Sequence, residues 1–186
     1  MASKTPLIAV VHRGLQGRAS PQAFAVRDGV AEAGVRSVLI GAESLGEAQW
    51  ALLEAADGYV FGAPLPEWAA VRHNGWSGKP AGGFAEALRD GLEAGPYVRQ
   101  RRLEAFATGL GMRWIVPEAV LPSWYSSCGK ESALDSVRQL GGLVARTLCD
   151  GLAHSLAHDL AGLARHAGPA MGPAAGPTDL ADLADR

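Results

Sequence analysis

A short apolar run that enters a glycine-containing loop and then a helix is the feature that most constrains this fold. Leu7 to Val11 is continuously apolar, which is the pattern of a parallel strand buried on both faces. His12 to Ala19 follows with two glycines, and Ser20 and Pro21 then form a helix start signal. A helix N-terminus that follows a strand and such a loop directs backbone N–H groups at an anion. We therefore expect an anion to bind at this loop.

The rest of the chain repeats the alternation of strand and helix. Four more strands are predicted at residues 35–40, 58–61, 80–84 and 114–116, with helices at 21–33, 45–55 and 96–110 and two closing helices over 134–144 and 152–163. Strands that alternate with helices form a parallel sheet, because right-handed crossovers place the helices on its two faces. The predicted fold is a three-layer α/β/α sandwich around a five-stranded parallel sheet. Residues 1–167 are predicted to form this domain, and residues 168–186, rich in Ala, Gly, Pro and Asp, a flexible tail.

Composition excludes several classes of protein. The 186 residues are 48% hydrophobic, with 17 Lys plus Arg and a formal net charge of −2, so we expect no nucleic-acid partner. No apolar run approaches the roughly 20 residues of a membrane helix, so we expect no membrane partner. Cys128 and Cys149 are too few for a disulfide framework, and no signal-peptide pattern precedes the first strand. These features predict a cytoplasmic protein.

Beyond the strand pattern, five segments resemble those of a known family. They are the first strand with its loop, followed by residues 56–64 (ADGYVFGAP), 78–84 (GKPAGGF), 111–117 (GMRWIVP) and 137–142 (VRQLGG). Their order and spacing are similar to those of the flavodoxin-like NAD(P)H:quinone oxidoreductases of the tryptophan-repressor-binding-protein type. The resemblance implies a flavodoxin-like fold, a homo-oligomer and an FMN cofactor. It also implies that the first loop holds the FMN phosphate and that the loops after the third and fourth strands hold the two sides of the ring.

Mapped onto this chain by the resemblance, the FMN contacts fall on three loops. They are Arg13, Gly14, Leu15, Gln16, Gly17, Arg18 and Ala19 in the first loop, Pro64, Leu65 and Trp68 in the second, and Ala85 and Glu86 in the third. All three loops depart from the family pattern, because the first lacks its two hydroxyl side chains, the second is shorter and the third is acidic. Backbone amides of the first loop still form a cradle for a phosphate, and Arg13 or Arg18 would add charge-assisted hydrogen bonds.

Two alternatives to the flavin hypothesis stay open at this point. His12, at the end of the first strand, carries an imidazole that titrates near neutral pH, which suits acid–base catalysis on a small anionic metabolite. Glu67, Glu86 and Asp90 would provide proton acceptors at the same rim. The other alternative is a non-catalytic relative of the family that acts through a partner.

Two clusters of reactive or charged side chains are interpreted as structural. Cys128 lies near Lys130, and a neighbouring lysine favours a thiolate. No base or orienting group accompanies this thiol in the sequence, so an inert cysteine is predicted. Arg99, Arg101 and Arg102 form a basic cluster at the start of a helix, which predicts a solvated helix face.

A third pattern has the spacing of a metal site. Asp150, His154 and His158 are four residues apart and share one helical face, a geometry that can grip zinc. Leucines occupy the opposite face, so a solvated polar face explains the pattern without a ligand. We therefore predict no metal site.

Overall fold

Strands and helices alternate along the chain. The structure, a computed structural model, describes residues 5–13, 19–43, 45–63, 74–84, 96–116 and 130–166. Its elements are β1 (Leu7–His12), α1 (Pro21–Glu32), β2 (Arg36–Gly41), α2 (Glu47–Ala55), β3 (Gly58–Phe61), β4 (Pro80–Gly83), α3 (Pro96–Gly109), β5 (Arg113–Trp114) and α4 (Lys130–His166). A 3₁₀ turn, Asn74–Trp76, precedes β4.

The five strands form one parallel sheet in the order β2-β1-β3-β4-β5. The chain first adds β2 on one side of β1 and then crosses back to add β3 on the other side. This reversal of strand order opens a crevice at the carboxyl ends of β1 and β3, where open α/β sheets bind their ligands. We use the term carboxyl edge for the side of the sheet at which the strands end, at His12, Gly41, Phe61 and Gly83.

Each face of the sheet is covered by two helices. Alternate residues of a strand face opposite sides, so Ile8 and Val10 of β1 pack with α1 and the 137–148 segment of α4. Ala9 and Val11 pack on the other face with α2 and α3. All four side chains are completely buried. The predicted three-layer α/β/α sandwich with a five-stranded parallel sheet is confirmed.

Small residues in β4 make room for large side chains around it. A Cβ at Gly82 would lie 2.9 Å from Cδ1 of Leu140 in α4, and a Cβ at Gly83 would lie 2.6 Å from the ring of Trp114 in β5. Both separations are shorter than the carbon–carbon contact distance of about 3.5–4.0 Å. The residues of β4 are therefore small, as predicted, because side chains of α4 and β5 occupy the space next to this strand.

Helices α1 and α4 approach each other through two glycines. A Cβ at Gly29 would overlap the carbonyl oxygen of Arg138, and a Cβ at Gly141 would overlap that of Val26. A backbone carbonyl within a helix cannot turn away, because it is held in the helical hydrogen-bond ladder. Both positions therefore exclude a side chain.

Side chains at the opposite, amino edge of the sheet bind backbone groups. The carboxylate of Asp57 accepts a hydrogen bond from the first N–H of β1 at 3.0 Å. The hydroxyl of Tyr59 donates to the carbonyl of Leu53 at 2.8 Å, and Nζ of Lys79 donates to the carbonyl of Ala56 at 2.6 Å. The carbonyl of Leu53 also accepts from the N–H of Ala56 at 3.3 Å, so Tyr59 adds a second donor there. Lys79 supplies a donor at the end of α2, where carbonyl groups lack helical partners.

The sequence predicts two closing helices, and this prediction is wrong. Helix α4 runs from Lys130 to His166 without a break. Gly151 lies where the break was expected, but a glycine inside a helix costs only about 1 kcal/mol relative to alanine. Leu148 and Leu152 keep the helical spacing on either side of it. A single glycine without a proline or a competing cap does not end the helix.

The chain divides into two compact units, Met1–Gly151 and Leu152–Arg186. In the second unit, residues 152–158 are exposed at every position, Leu156 by 63%. The predicted tail, residues 168–186, lies outside the described residues, and the domain boundary at residue 167 stays a prediction. No helix in the described part of the chain is long and apolar enough to cross a membrane.

Candidate functional site

The end of β1 brings His12 and Arg13 to the carboxyl edge. His12 is buried, with 5% of its surface exposed, and its carbonyl accepts a hydrogen bond from the N–H of Ala42 at 2.8 Å. Nε of Arg13 donates to Oε1 of Glu43 at 3.2 Å. Glu43 lies just beyond β2, so this ion pair joins the segments that follow two neighbouring strands.

The Arg13–Glu43 ion pair is solvent-exposed, with 45% and 67% of the two side chains accessible. Ion pairs of this kind contribute about 0–1 kcal/mol. The pair therefore adds little to stability, and Glu43 places a negative charge next to the predicted anion loop. Sequence analysis missed Glu43. Its position directly after β2 was the available signal, since parallel strands end at the same edge.

The N-terminus of α1 is capped by Ser20. Its Oγ accepts a hydrogen bond from the N–H of Ala23 at 3.2 Å, and Pro21 is the first helical residue, so the predicted helix start is confirmed. Ala19, a predicted phosphate contact, packs against the core between the sheet and α1. The Ser20 oxygen thus accepts the capping hydrogen bond at the start of the helix that follows the predicted anion loop.

An aromatic ring closes the carboxyl edge between β3 and β4. Phe84 directly follows β4, is completely buried and packs so closely on Gly62 that a Cβ there would overlap the ring. The N–H of Phe84 donates to the carbonyl of Phe61 at 2.9 Å. The Phe84 ring therefore fills the space beside Gly62 as part of the core on the α1 and α4 face of the sheet.

The start of α3 brings an amide to the end of β4. Nε2 of Gln100 donates to the carbonyl of Gly83 at 3.0 Å. Oε1 of Gln100 and Nε of Arg99 are both buried, and neither has a hydrogen-bond partner among the described residues. Sequence analysis placed Arg99 in a solvated cluster and missed Gln100. The one signal was its location at the start of the helix after the fourth strand.

Three of the predicted site residues lie in the described part of the chain. His12, Arg13 and Ala19 are described, and the first two lie side by side at the carboxyl edge. The remaining predicted site residues lie outside the described residues, namely Gly14, Leu15, Gln16, Gly17, Arg18, Pro64, Leu65, Trp68, Ala85 and Glu86, together with Glu67, Asp90 and Cys128. Their assignments stay predictions.

The other polar patterns lie at the surface. Asp150, His154 and His158 are exposed, and the described residues contain no group of three or more His, Cys, Asp or Glu that could hold a metal ion. Arg101 is exposed and pairs with Glu104 at 3.0 Å. Among the described residues, these surface side chains do not form a ligand site.

Three solved structures illustrate the similarity of this fold to known ones. A diflavin flavoprotein from Nostoc sp. matches with a TM-score of 0.56 and 17% identity, over 82% of this chain and 99% of that one. A flavodoxin from the domain Archaea matches with a TM-score of 0.52 and 15% identity, over 76% and 98%. A flavodoxin from Pseudomonas aeruginosa matches with a TM-score of 0.52 and 15% identity, over 74% and 98%.

No family model matches the chain, and no curated protein matches it in sequence. At identities of 15–17% the structural matches establish the fold alone. The structural matches agree with the observed strand order β2-β1-β3-β4-β5, which is the order found in flavodoxin. The chain is an α/β protein with a flavodoxin-like fold, as predicted.

Proposed function

We propose that this protein is a flavodoxin-type flavoprotein that binds FMN at the carboxyl edge and acts as an oxidoreductase. The observation that carries the proposal is the reversal of strand order between β1 and β3. It lies where β1 leads through a glycine-containing loop to the capped N-terminus of α1. In this fold FMN binds at that switch point. The structural neighbours named as flavodoxins and a flavoprotein support the same ligand class.

The described donors and acceptors fit FMN. Arg13 supplies a cation at the start of the predicted phosphate loop, and its ion pair with Glu43 is exposed to solvent. Gln100 supplies a buried amide acceptor at the end of β4 for a polar ring edge.

Residues of three loops would hold the cofactor. Arg13, Arg18 and the amides of residues 14–19 would bind the phosphate, and Pro64, Leu65, Trp68, Ala85 and Glu86 would flank the ring. When bound, a flavin supplies hydride and electron transfer that no side chain provides. We further propose NAD(P)H:quinone reduction of the tryptophan-repressor-binding-protein type, by a cytoplasmic homo-oligomer.

The visible spectrum of the purified protein tests FMN binding. We expect a flavin absorption band, either as isolated or after FMN is added and excess ligand is removed by gel filtration. Riboflavin, which lacks the phosphate, is the matched control and should be retained less. A protein that stays colourless after incubation with FMN contradicts the proposal.

A second candidate function is flavin-free acid–base catalysis on a small anionic metabolite. It is favoured by the placement of His12, which ends β1 at the switch point beside Arg13. On this hypothesis the colourless protein turns over such a substrate. His12→Gln then abolishes turnover while the melting temperature is retained, and unchanged turnover contradicts the hypothesis.

A further inference from the structure

The amide of Gln100 continues the hydrogen-bond pattern of β4 beyond its last strand partner. Among the described residues, the last backbone bond from β4 to the β5 side joins the N–H of Ile115 to the carbonyl of Ala81 at 2.7 Å. Carbonyl groups two residues apart in a strand point the same way. The carbonyl of Gly83 therefore faces the β5 side, as that of Ala81 does, one position beyond the last backbone bond. Nε2 of Gln100 donates to it at 3.0 Å. The side chain thus occupies the next ladder position at the carboxyl edge.

The hydrogen bond to Gly83 determines which polar atom of the Gln100 amide remains without a partner. A carbonyl oxygen accepts hydrogen bonds and cannot donate them, so only the NH₂ group of Gln100 can face Gly83. Oε1 is therefore the free end, and it is buried without a hydrogen-bond partner in the described part of the chain. Buried polar atoms nearly always have a partner in native proteins. An acceptor in this position indicates a donor that binds there.

We propose that Oε1 of Gln100 accepts a hydrogen bond from an N–H group of the ligand, and so selects ligands that carry an amide or imide N–H. The proposal rests on the proposed function, because FMN has such a group in the imide N3–H of its ring. Arg99 is not assigned to the same contact, since adjacent residues on a helix do not face each other. Gln100 is thus a specificity-determining residue at the end of β4.

The test compares FMN with N3-methyl-FMN, which lacks this N–H, on the wild-type protein and on Gln100→Leu. Dissociation constants are measured by flavin fluorescence. For the wild-type protein, methylation should weaken binding about fivefold, the amount expected of one neutral hydrogen bond. For Gln100→Leu, binding of FMN should be weakened by a similar factor, and methylation should have no further effect.

Two more variants keep the test decisive. Gln100→Met retains the length of the side chain without a strong acceptor and should also lose the discrimination against N3-methyl-FMN, even if the leucine variant does not fold. Gln139→Leu, at an exposed glutamine of α4, should behave as the wild-type protein does.

The outcomes separate this proposal from the one on which it rests. A wild-type protein that binds no FMN overturns both. FMN binding with the same effect of methylation in the wild-type protein and in the Gln100 variants overturns the role of Gln100 alone.

Discussion

Replacing Glu43 with glutamine should strengthen binding of a phosphorylated ligand at the carboxyl edge. In the free protein, Nε of Arg13 is bonded to Oε1 of Glu43 at 3.2 Å. Glu43→Gln keeps the size of the side chain and removes its charge. Arg13 then no longer leaves an ion pair to reach a phosphate, and a negative charge next to the predicted loop is gone.

The size of this effect follows from the exposure of the pair. With 45% and 67% of the side chains accessible, the ion pair is worth at most about 1 kcal/mol. Repulsion between a carboxylate and one phosphate charge at about 8 Å in water is about 0.5 kcal/mol before salt screening. A net gain of about 1 kcal/mol lowers the dissociation constant about fivefold.

Titrations with FMN and riboflavin at low and high salt check this prediction. Only FMN should gain affinity, and the gain should shrink at high salt, because exposed charges are screened. Glu47→Gln, at an exposed acid in the first turn of α2, controls for the change in net charge. An unchanged dissociation constant for FMN at low salt, or an equal gain for riboflavin, would refute the competition between Glu43 and the phosphate.

Two further predictions concern the scaffold and are checked by urea unfolding. Tyr59→Phe removes one of two donors to the carbonyl of Leu53, which keeps the N–H of Ala56 at 3.3 Å, and should lower the free energy of unfolding by about 0.5–1.5 kcal/mol. Burial, and to a smaller extent the carboxylates of Asp57 and Glu54, raise the pKa of Tyr59 far above its usual value. The unfolded chain therefore loses this proton first, so wild-type stability should fall above about pH 10 by up to about 1.4 kcal/mol per pH unit. Tyr59→Phe lacks this pH-dependent loss, so the difference in unfolding free energy between the wild-type protein and Tyr59→Phe should become smaller above about pH 10. A difference that stays constant contradicts the argument. Gly141→Ala places a Cβ on the carbonyl of Val26 and should destabilise by about 1–3 kcal/mol. In Gly151→Ala the new Cβ has no neighbour nearer than 4.0 Å, so this substitution should stabilise the protein by about 0.5–1 kcal/mol. Equal effects of Gly141→Ala and Gly151→Ala on stability would count against the glycine contact between α1 and α4.

Local signals predict most of the fold. β3, Gly58–Phe61, lies where its apolar run predicts it. Helix α1 begins after its N-cap Ser20 and ends before Gly34, whose φ of 75° is readily adopted by glycine. These signals succeed because capping and burial act within a few neighbouring residues. They fail at Gly151, where a weak local preference for ending the helix is outweighed by the continuing helical pattern.

The contacts of the candidate site could not be predicted in the same way. Glu43 meets Arg13 across 30 positions, and Gln100 meets Gly83 across 17. Such pairs depend on which strands are neighbours and on where α3 begins relative to β4, and hydrophobic periodicity specifies neither. The resemblance pointed to the carboxyl edge of the sheet but not to these partners.

The two edges of the sheet are stabilised by different kinds of side-chain contact, and this difference determines which edge tolerates sequence change better. At the amino edge, Tyr59, Lys79 and Asp57 bind backbone groups through buried or partly buried hydrogen bonds. At the carboxyl edge, the side-chain contacts described above include the exposed Arg13–Glu43 ion pair, the Ser20 cap and the Gln100 amide. Exposed pairs contribute less to stability than buried hydrogen bonds do, so replacing Arg13 or Glu43 should cost the fold little. The sheet can therefore be kept while the residues of this pair change.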